Sequence, residues 1–215
     1  MASISVFHVD DFLLVLDKPA GLLSVPGRGV EKADCLSARV QAEYPDALVV
    51  HRLDLATSGI VVMARGRNMQ RRLGAAFAGR EVSKRYVAIV AGRVSQPGIC
   101  GEWAEIDLPI AADWPNRPLR IIDREHGQAS LTRWRVLGPG TCDGSTRLEL
   151  EPVTGRTHQL RVHLKAVGHP ILGDALYAAG PIAGAASRLL LHACDLRLVH
   201  PHSGEPLAFS SPPPF

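Results

Sequence analysis

His51-Arg52-Leu53-Asp54-Leu55-Ala56-Thr57-Ser58-Gly59 lies between two apolar runs, Leu48-Val49-Val50 and Ile60-Val61-Val62-Met63. A strand that stops at a carboxylate and restarts after Thr-Ser-Gly reads as a polar turn braced by a sheet, the setting in which loops carry chemistry. Taken alone, the turn has a plainer reading as well. Turn aspartates commonly accept hydrogen bonds from nearby backbone N–H groups, and Asp54 could do only that.

Upstream, residues 4–8 and 12–16 read as paired strands around Asp10-Asp11, and residues 18–29 as a long Gly/Pro-rich loop of the kind that often serves function. Asp34 is a plausible N-cap for a short helix ended by Pro45. Downstream, Met69, Leu73, Ala76 and Phe77 have helical spacing, which predicts an amphipathic helix over 68–78 with its arginines outward. Strands are expected over 86–90, 102–111, 119–123, 129–137, 146–151, 189–199 and 207–210. Leu160, Leu164 and Val167 mark a helix face with Gly168 as its stop. Strands dominate without a regular βαβ order, which favours an α+β fold with a largely antiparallel mixed sheet.

With 215 residues the chain is long enough for one large domain or two closely joined halves, and 46% hydrophobic residues can build a substantial core. No run approaches a membrane span and no signal peptide is visible, so a cytoplasmic protein without membrane attachment is expected. No feature points to an obligate protein partner. Cys35, Cys100, Cys142 and Cys194 are scattered without a Cys-x-x-Cys pair. That indicates neither zinc nor a disulfide framework and favours buried or half-buried free thiols. Net charge is only +3. Its distribution is uneven, however: Arg65, Arg67, Arg71, Arg72, Arg80, Lys84 and Arg85 form a basic stretch interrupted by Glu81 alone. Such a stretch can place phosphate-neutralising charge on one face, or simply form a solvated surface.

The His-Arg-Leu-Asp motif followed by Thr-Ser-Gly resembles the active-site signature of the RluA-type pseudouridine synthases. Three more segments carry the resemblance in the family's order. Ala20-Gly21-Leu22-Leu23-Ser24-Val25-Pro26-Gly27, after Leu16-Asp17-Lys18-Pro19, resembles the opening loop. Ser83-Lys84-Arg85-Tyr86-Val87-Ala88 resembles the segment that supplies a tyrosine. Thr154-Gly155-Arg156-Thr157-His158-Gln159-Leu160-Arg161-Val162-His163 resembles the arginine-bearing motif. A fifth segment, Asp113-Trp114-Pro115-Asn116-Arg117-Pro118, is similar to small dual-specificity members that act on both large-subunit ribosomal RNA and transfer RNA. The resemblance runs from about Val9 to Phe209. It implies a bent sheet split by a catalytic cleft, a single catalytic domain over 1–215 without an appended N-terminal RNA-binding module, and isomerisation of specific uridines in RNA loops.

That reaction breaks the N1–C1′ bond, turns the base and joins C5 to C1′. Nothing is oxidised and no group arrives, so no cofactor and no metal are expected. A carboxylate, a grip on the detached uracil and exclusion of water are needed. Asp54 is the candidate carboxylate, and attack at C1′, attack on the base and removal of the C2′ proton all fit it. A carboxylate shut away from water stays ionised only beside positive charge, and the resemblance assigns that partnership to Arg156. Arg156 also reads as a structural ion pair or a phosphate contact.

Tyr86 matches the tyrosine that stacks on the target base, although its strand periodicity equally suits a core aromatic. The resemblance gives Arg52 the task of gripping RNA and splaying out the target nucleotide. His51 reads as a structural hydrogen-bonder beside the substrate. Thr57 and Leu160 are further candidates at the substrate, Leu160 with an equal claim to the core. Lys84 and Arg161 read as phosphate or structural contacts. His158 and His163 are five apart, off one helical face, which argues against a metal site. Two rival functions differ in class. A glycoside hydrolase would need a second acid as proton donor, and none stands out near Asp54. A non-catalytic RNA-binding protein would not need Asp54, Tyr86 and Arg156 together, and 5% aromatic content supplies few stacking surfaces.

Overall fold

Asp10 shapes the first turn of the chain. Its Oδ1 accepts from the backbone N–H groups of Phe12 and Leu13 at 2.7 and 2.8 Å, turning β1 (Ser5–Val9) back onto β2 (Leu13–Lys18) as an antiparallel pair. The computed structural model describes residues 4–95 and 102–215. Internal packing divides the chain into two units, Met1–Lys84 with Ala193–Pro213, and Arg85–His192 with Pro214–Phe215.

In the first unit β2 pairs antiparallel with β4 (Ser58–Arg65), and β3 (Ala47–Val49) pairs with the end of β4. The order runs β1-β2-β4-β11, where β11 is Leu191–Val199, and β12 (Pro206–Ser210) pairs antiparallel with β11. Every residue of β4 from Ser58 to Ala64 is buried. A strand covered on both faces explains the unbroken apolar run that follows the Asp54 turn. Ile60, Val62 and Ala64 share one core with Leu13, Val15, Leu196 and Leu198, and α2 (Gly66–Ala78) seals it with Met69 and Leu73. Truncating Leu73, 1% exposed, to alanine should cost about 2–5 kcal/mol. The arginines of α2, Arg67, Arg71 and Arg72, are exposed, as the spacing predicts.

The short helix α1 (Leu36–Glu43) corrects the expected cap. Cys35, not Asp34, is the N-cap: its Sγ accepts from the Ala38 N–H at 3.4 Å. The Asp34 carboxylate instead takes a two-pronged contact from Arg39 at 2.7 Å. Cys35 and Cys194 are buried, whereas Cys142 is exposed against expectation; Cys100 lies outside the described residues.

The second unit orders β5 (Ser83–Ala91), β10 (Ser145–Pro152), β9 (Leu131–Pro139) and β6 (Ala104–Asp107) by antiparallel ladders. The first two residues of β5 belong to the first unit. A separate hairpin pairs β7 (Ile110–Ala112) with β8 (Arg120–Ile122). The helix α3 (Gln159–Ala166) packs Val162 against this hairpin in a cluster with Ile110 and Tyr177. It stops as predicted at Gly168, which holds the left-handed conformation that ends helices (φ 87°). One short helix, α4 (Gly180–Gly184), was not visible in the sequence pattern. Strands outnumber helices and the fold is α+β. No helix among the described residues is long and apolar enough to cross a membrane.

Candidate active site

Asp54 occupies the turn that the sequence pattern predicts, half-buried, just before β4. The Thr57 N–H closes the turn on the Asp54 carbonyl at 3.1 Å. Gly59 shows why the restart after Thr-Ser needs glycine. Its φ is 115°, and a Cβ there would stand 2.2 Å from the Ala193 carbonyl oxygen of β11. Thr57 and Ser58 are buried at 2% and 3% exposure, so the turn is fixed at its exit by packing.

Its entry is fixed by the opening loop. The Ser24 hydroxyl donates to the Leu53 carbonyl at 2.7 Å and accepts from the Leu53 N–H at 3.1 Å. On the far side of Asp54, the Leu55 carbonyl accepts from the Gly21 N–H at 2.9 Å and from Lys18 Nζ at 3.3 Å. Lys18 is fully buried, and its ammonium also donates to the carbonyls of Pro19 (2.9 Å) and Leu22 (2.7 Å). A buried ammonium is tolerated only where acceptors replace water, and here backbone carbonyls do so. Both peptide neighbours of Asp54 are therefore clamped by residues of the 18–24 loop. Neither Lys18 nor Ser24 was singled out from the sequence. The one available signal was a lysine and a serine inside the quoted opening segment, the lysine following Asp17 at the end of an apolar run.

His51 is held as a neutral hydrogen-bond acceptor. The Val62 N–H donates to its Nε2 at 3.0 Å and its ring stacks on Phe77 at 4.3 Å. Burial, with the nearby Lys84 charge as a second cause, pushes its pKa down to about 3. That agrees with the structural role read from the sequence. Arg52 is exposed beside it, and Leu55 is an unexpectedly exposed apolar side chain, 50% accessible, next to Asp54.

In the second unit Tyr86 is half-buried on β5, opposite Leu150 of β10. Arg156 precedes α3 by three residues and does not start it, because His158 takes a left-handed conformation (φ 58°) as the N-cap. Arg156 is exposed, its Nε donating to the Ala129 carbonyl at 3.3 Å. Its neighbours in the motif are engaged internally. Gln159, 3% exposed, accepts through Oε1 from Thr154 Oγ1 (2.7 Å) and the Arg156 N–H (3.0 Å). Through Nε2 it donates to the Leu131 carbonyl and Thr132 Oγ1. The Tyr177 hydroxyl accepts from the Arg120 N–H at 2.9 Å and lies 2.6 Å from His158 Nδ1.

Of the two readings open for Arg161, phosphate contact or structural contact, the geometry fits the structural one. It is 4% exposed and grips Asp174 at 2.8 and 2.7 Å, while two backbone N–H groups also donate to that carboxylate. His163, fully buried, bonds Thr132 Oγ1 and the Leu108 carbonyl, and burial lowers its pKa. Leu160 is buried at 6% exposure. No group of three or more metal-ligating side chains assembles among the described residues.

The basic stretch needs a correction in detail. Arg65 pairs with Asp46 at 3.1 Å and Arg85 with Glu151, so their charges are already matched. Arg67, Arg71 and Arg72 on α2, with Arg80 just beyond its end, remain exposed positive charges.

The family model for RNA pseudouridylate synthases matches residues 12–166. A dual-specificity RNA pseudouridine synthase RluA from Yersinia pestis is 47% identical over 204 residues, covering 95% of this chain and 96% of that protein. The protein of the same name from Escherichia coli (strain K12) is 44% identical over 211 residues, covering 98% and 93%. Among solved structures, human RNA pseudouridylate synthase domain containing 1 superposes with a TM-score of 0.80 at 27% identity, covering 99% of this chain and 84% of that one. Human RNA pseudouridylate synthase domain containing 4 gives 0.72 at 27%, covering 97% and 88%. The braced aspartate turn, the fold and these likenesses agree, and the chain belongs to the RNA pseudouridylate synthase family.

Proposed function

We propose that this chain converts specific uridines in the loops of structured RNA to pseudouridine, and that its targets lie in large-subunit ribosomal RNA, in the transfer RNA anticodon stem-loop, or in both. The observation that carries the reading is the Asp54 turn, clamped on either side by Ser24 and Lys18. A carboxylate that must act on one atom of a nucleotide gains from a mount that cannot shift, since small displacements cost large factors in rate. Near-full-length similarity to proteins named dual-specificity enzymes supports the pair of RNA targets.

In this scheme Asp54 supplies the anionic oxygen, Tyr86 stacks on the base and Arg156 balances charge. Arg52 grips the nucleotide as it leaves its stack, and Lys84 lies at the substrate, whereas Thr57, 2% exposed, holds the turn rather than the nucleotide. The base leaves C1′ through N1 and returns through C5, so the C5 proton is released and N1 gains one. The balance closes without redox or group transfer. A glycoside hydrolase reading would need the sugar released to water, the outcome that a synthase must suppress.

Mapping pseudouridine in RNA from a cytoplasmic extract of cells lacking this gene tests the proposal. Uridine should replace pseudouridine at one or more loop positions, and the purified chain should restore it after dialysis against EDTA. An unchanged map, or a requirement for added metal with an unstructured RNA, would contradict the proposal.

A further inference from the structure

Trp114 is 69% exposed, the most exposed aromatic side chain among the described residues' exposed large apolar groups. The other two tryptophans are half-buried in the second unit, and Trp103 has the guanidinium groups of both Arg85 and Arg135 within 4.8 Å of its ring centre. Leaving an indole in water forfeits about 1.5–3 kcal/mol of burial, so its exposure calls for a reason. The loop that carries it, between β7 and β8, is tightly tied. The Asp113 N–H donates to the Leu119 carbonyl at 3.1 Å, and the Leu119 N–H to the Asn116 carbonyl at 3.0 Å. Asn116 Nδ2 donates to both carboxylate oxygens of Asp113 at 3.1 and 3.0 Å. Pro115 and Pro118 fix two further dihedrals. Below the loop, Ile110 and Ile122 anchor the hairpin on Val162 and Tyr177.

The Arg117 guanidinium sits 3.5 Å from the centre of the Trp114 ring. One indole face is therefore covered by a cation while the ring as a whole remains accessible. Arg117 is itself exposed and, unlike Arg85 and Arg135, makes no ion pair among the described residues. A rigidly held aromatic ring beside an unneutralised arginine is what an unstacked nucleobase and its phosphate require. Pre-ordering the ring reduces the entropy cost of binding.

We infer that Trp114, backed by Arg117, is a stacking platform for an unpaired base of the substrate RNA, with Arg117 reaching an adjoining phosphate. The base it takes is not the uridine that is isomerised, because that base must be shielded from water and Trp114 is open to it. The inference rests on the proposed RNA substrate and adds a determinant of which loops are accepted: those that offer a second extruded base.

The test uses the full chain, an RNA stem-loop that the wild-type protein converts, and a blunt duplex of the same length. Affinities are measured for the wild type, Trp114→Ala and Trp114→Phe at one salt concentration. Trp114→Ala should bind the stem-loop about tenfold more weakly, within the range for loss of one stacked base, and Trp114→Phe should recover most of the loss. Affinity for the duplex, which offers no unstacked base, should change less than about twofold in either variant. Unchanged stem-loop affinity in Trp114→Ala, equal losses on stem-loop and duplex, or no recovery with phenylalanine would each overturn the inference. Failure of the wild type to form pseudouridine would instead defeat the proposed function, and the two failures are distinct.

Discussion

The Ser24 hydroxyl engages both backbone groups of Leu53, donating to its carbonyl at 2.7 Å and accepting from its N–H at 3.1 Å. Leu53 is buried and immediately precedes Asp54, so one side chain sets the entry to the turn. Ser24→Ala leaves two buried backbone groups without this partner and should destabilise the protein by about 1–3 kcal/mol. Turnover on a stem-loop should fall further than RNA affinity, since the carboxylate loses its fixed mount. Denaturant unfolding and single-turnover rates measure the two effects. A variant with wild-type stability and rate would show that the clamp is incidental.

His51 predicts how stability depends on pH. Its pKa is pushed down to about 3 by burial and then by the Lys84 charge, whereas an unfolded histidine titrates near 6.5. Below about pH 6.5 the unfolded chain takes up a proton that the folded chain refuses. Stability is therefore full above that pH and falls toward pH 3, by at most about 1.4 kcal/mol per pH unit. Burial of His163 acts in the same direction. Asp10 adds a more acidic step. Burial raises its pKa, but hydrogen bonds from His8, Leu13, Phe12 and His200 outweigh burial and hold it at about 2, so its contribution is lost as pH falls from 3.8 through 2. Melting temperature plotted against pH should fall less steeply between about 6.5 and 4 for His51→Gln than for the wild type. Identical slopes would mean that His51 is not held neutral.

The exposed arginines of α2 and the matched arginine of β5 should behave differently toward RNA. Arg71→Ala should weaken binding and flatten its salt dependence by about one phosphate contact. Arg85→Ala should change the slope much less, because Glu151 already neutralises Arg85. Binding titrations across salt concentrations separate the two. Equal slopes for both variants would show that neither contacts phosphate in the way their pairing implies.

What the sequence made legible follows from how locally each feature is encoded. The Asp54 turn, the buried strand β4 and the amphipathic α2 rest on patterns within about a dozen residues, and each stands where the pattern predicts. The stop at Gly168 is local as well. The clamp on the turn was not legible, because Ser24 and Leu53 are 29 residues apart and Lys18 and Leu55 are 37 apart. The order β1-β2-β4-β11 brings Ala193 against Gly59, a close approach that no short window contains. The left-handed turn at His158 that opens α3 is not legible in the motif, because its residue type does not announce that conformation. Arg161 carried a phosphate or a structural reading until its burial against Asp174 appeared. The charge of the basic stretch was overcounted for the same reason, since its acidic partners Asp46 and Glu151 come from distant strands and loops.

The central claim is that Asp54 performs the chemistry, and tritium release from RNA labelled at uridine C5 tests it most directly. Asp54→Asn keeps the size and the turn but removes the anion. The variant should fold with wild-type stability to within about 1 kcal/mol, bind the stem-loop with nearly wild-type affinity, and release no tritium above background. Release by Asp54→Asn at a rate comparable to wild type would contradict the account.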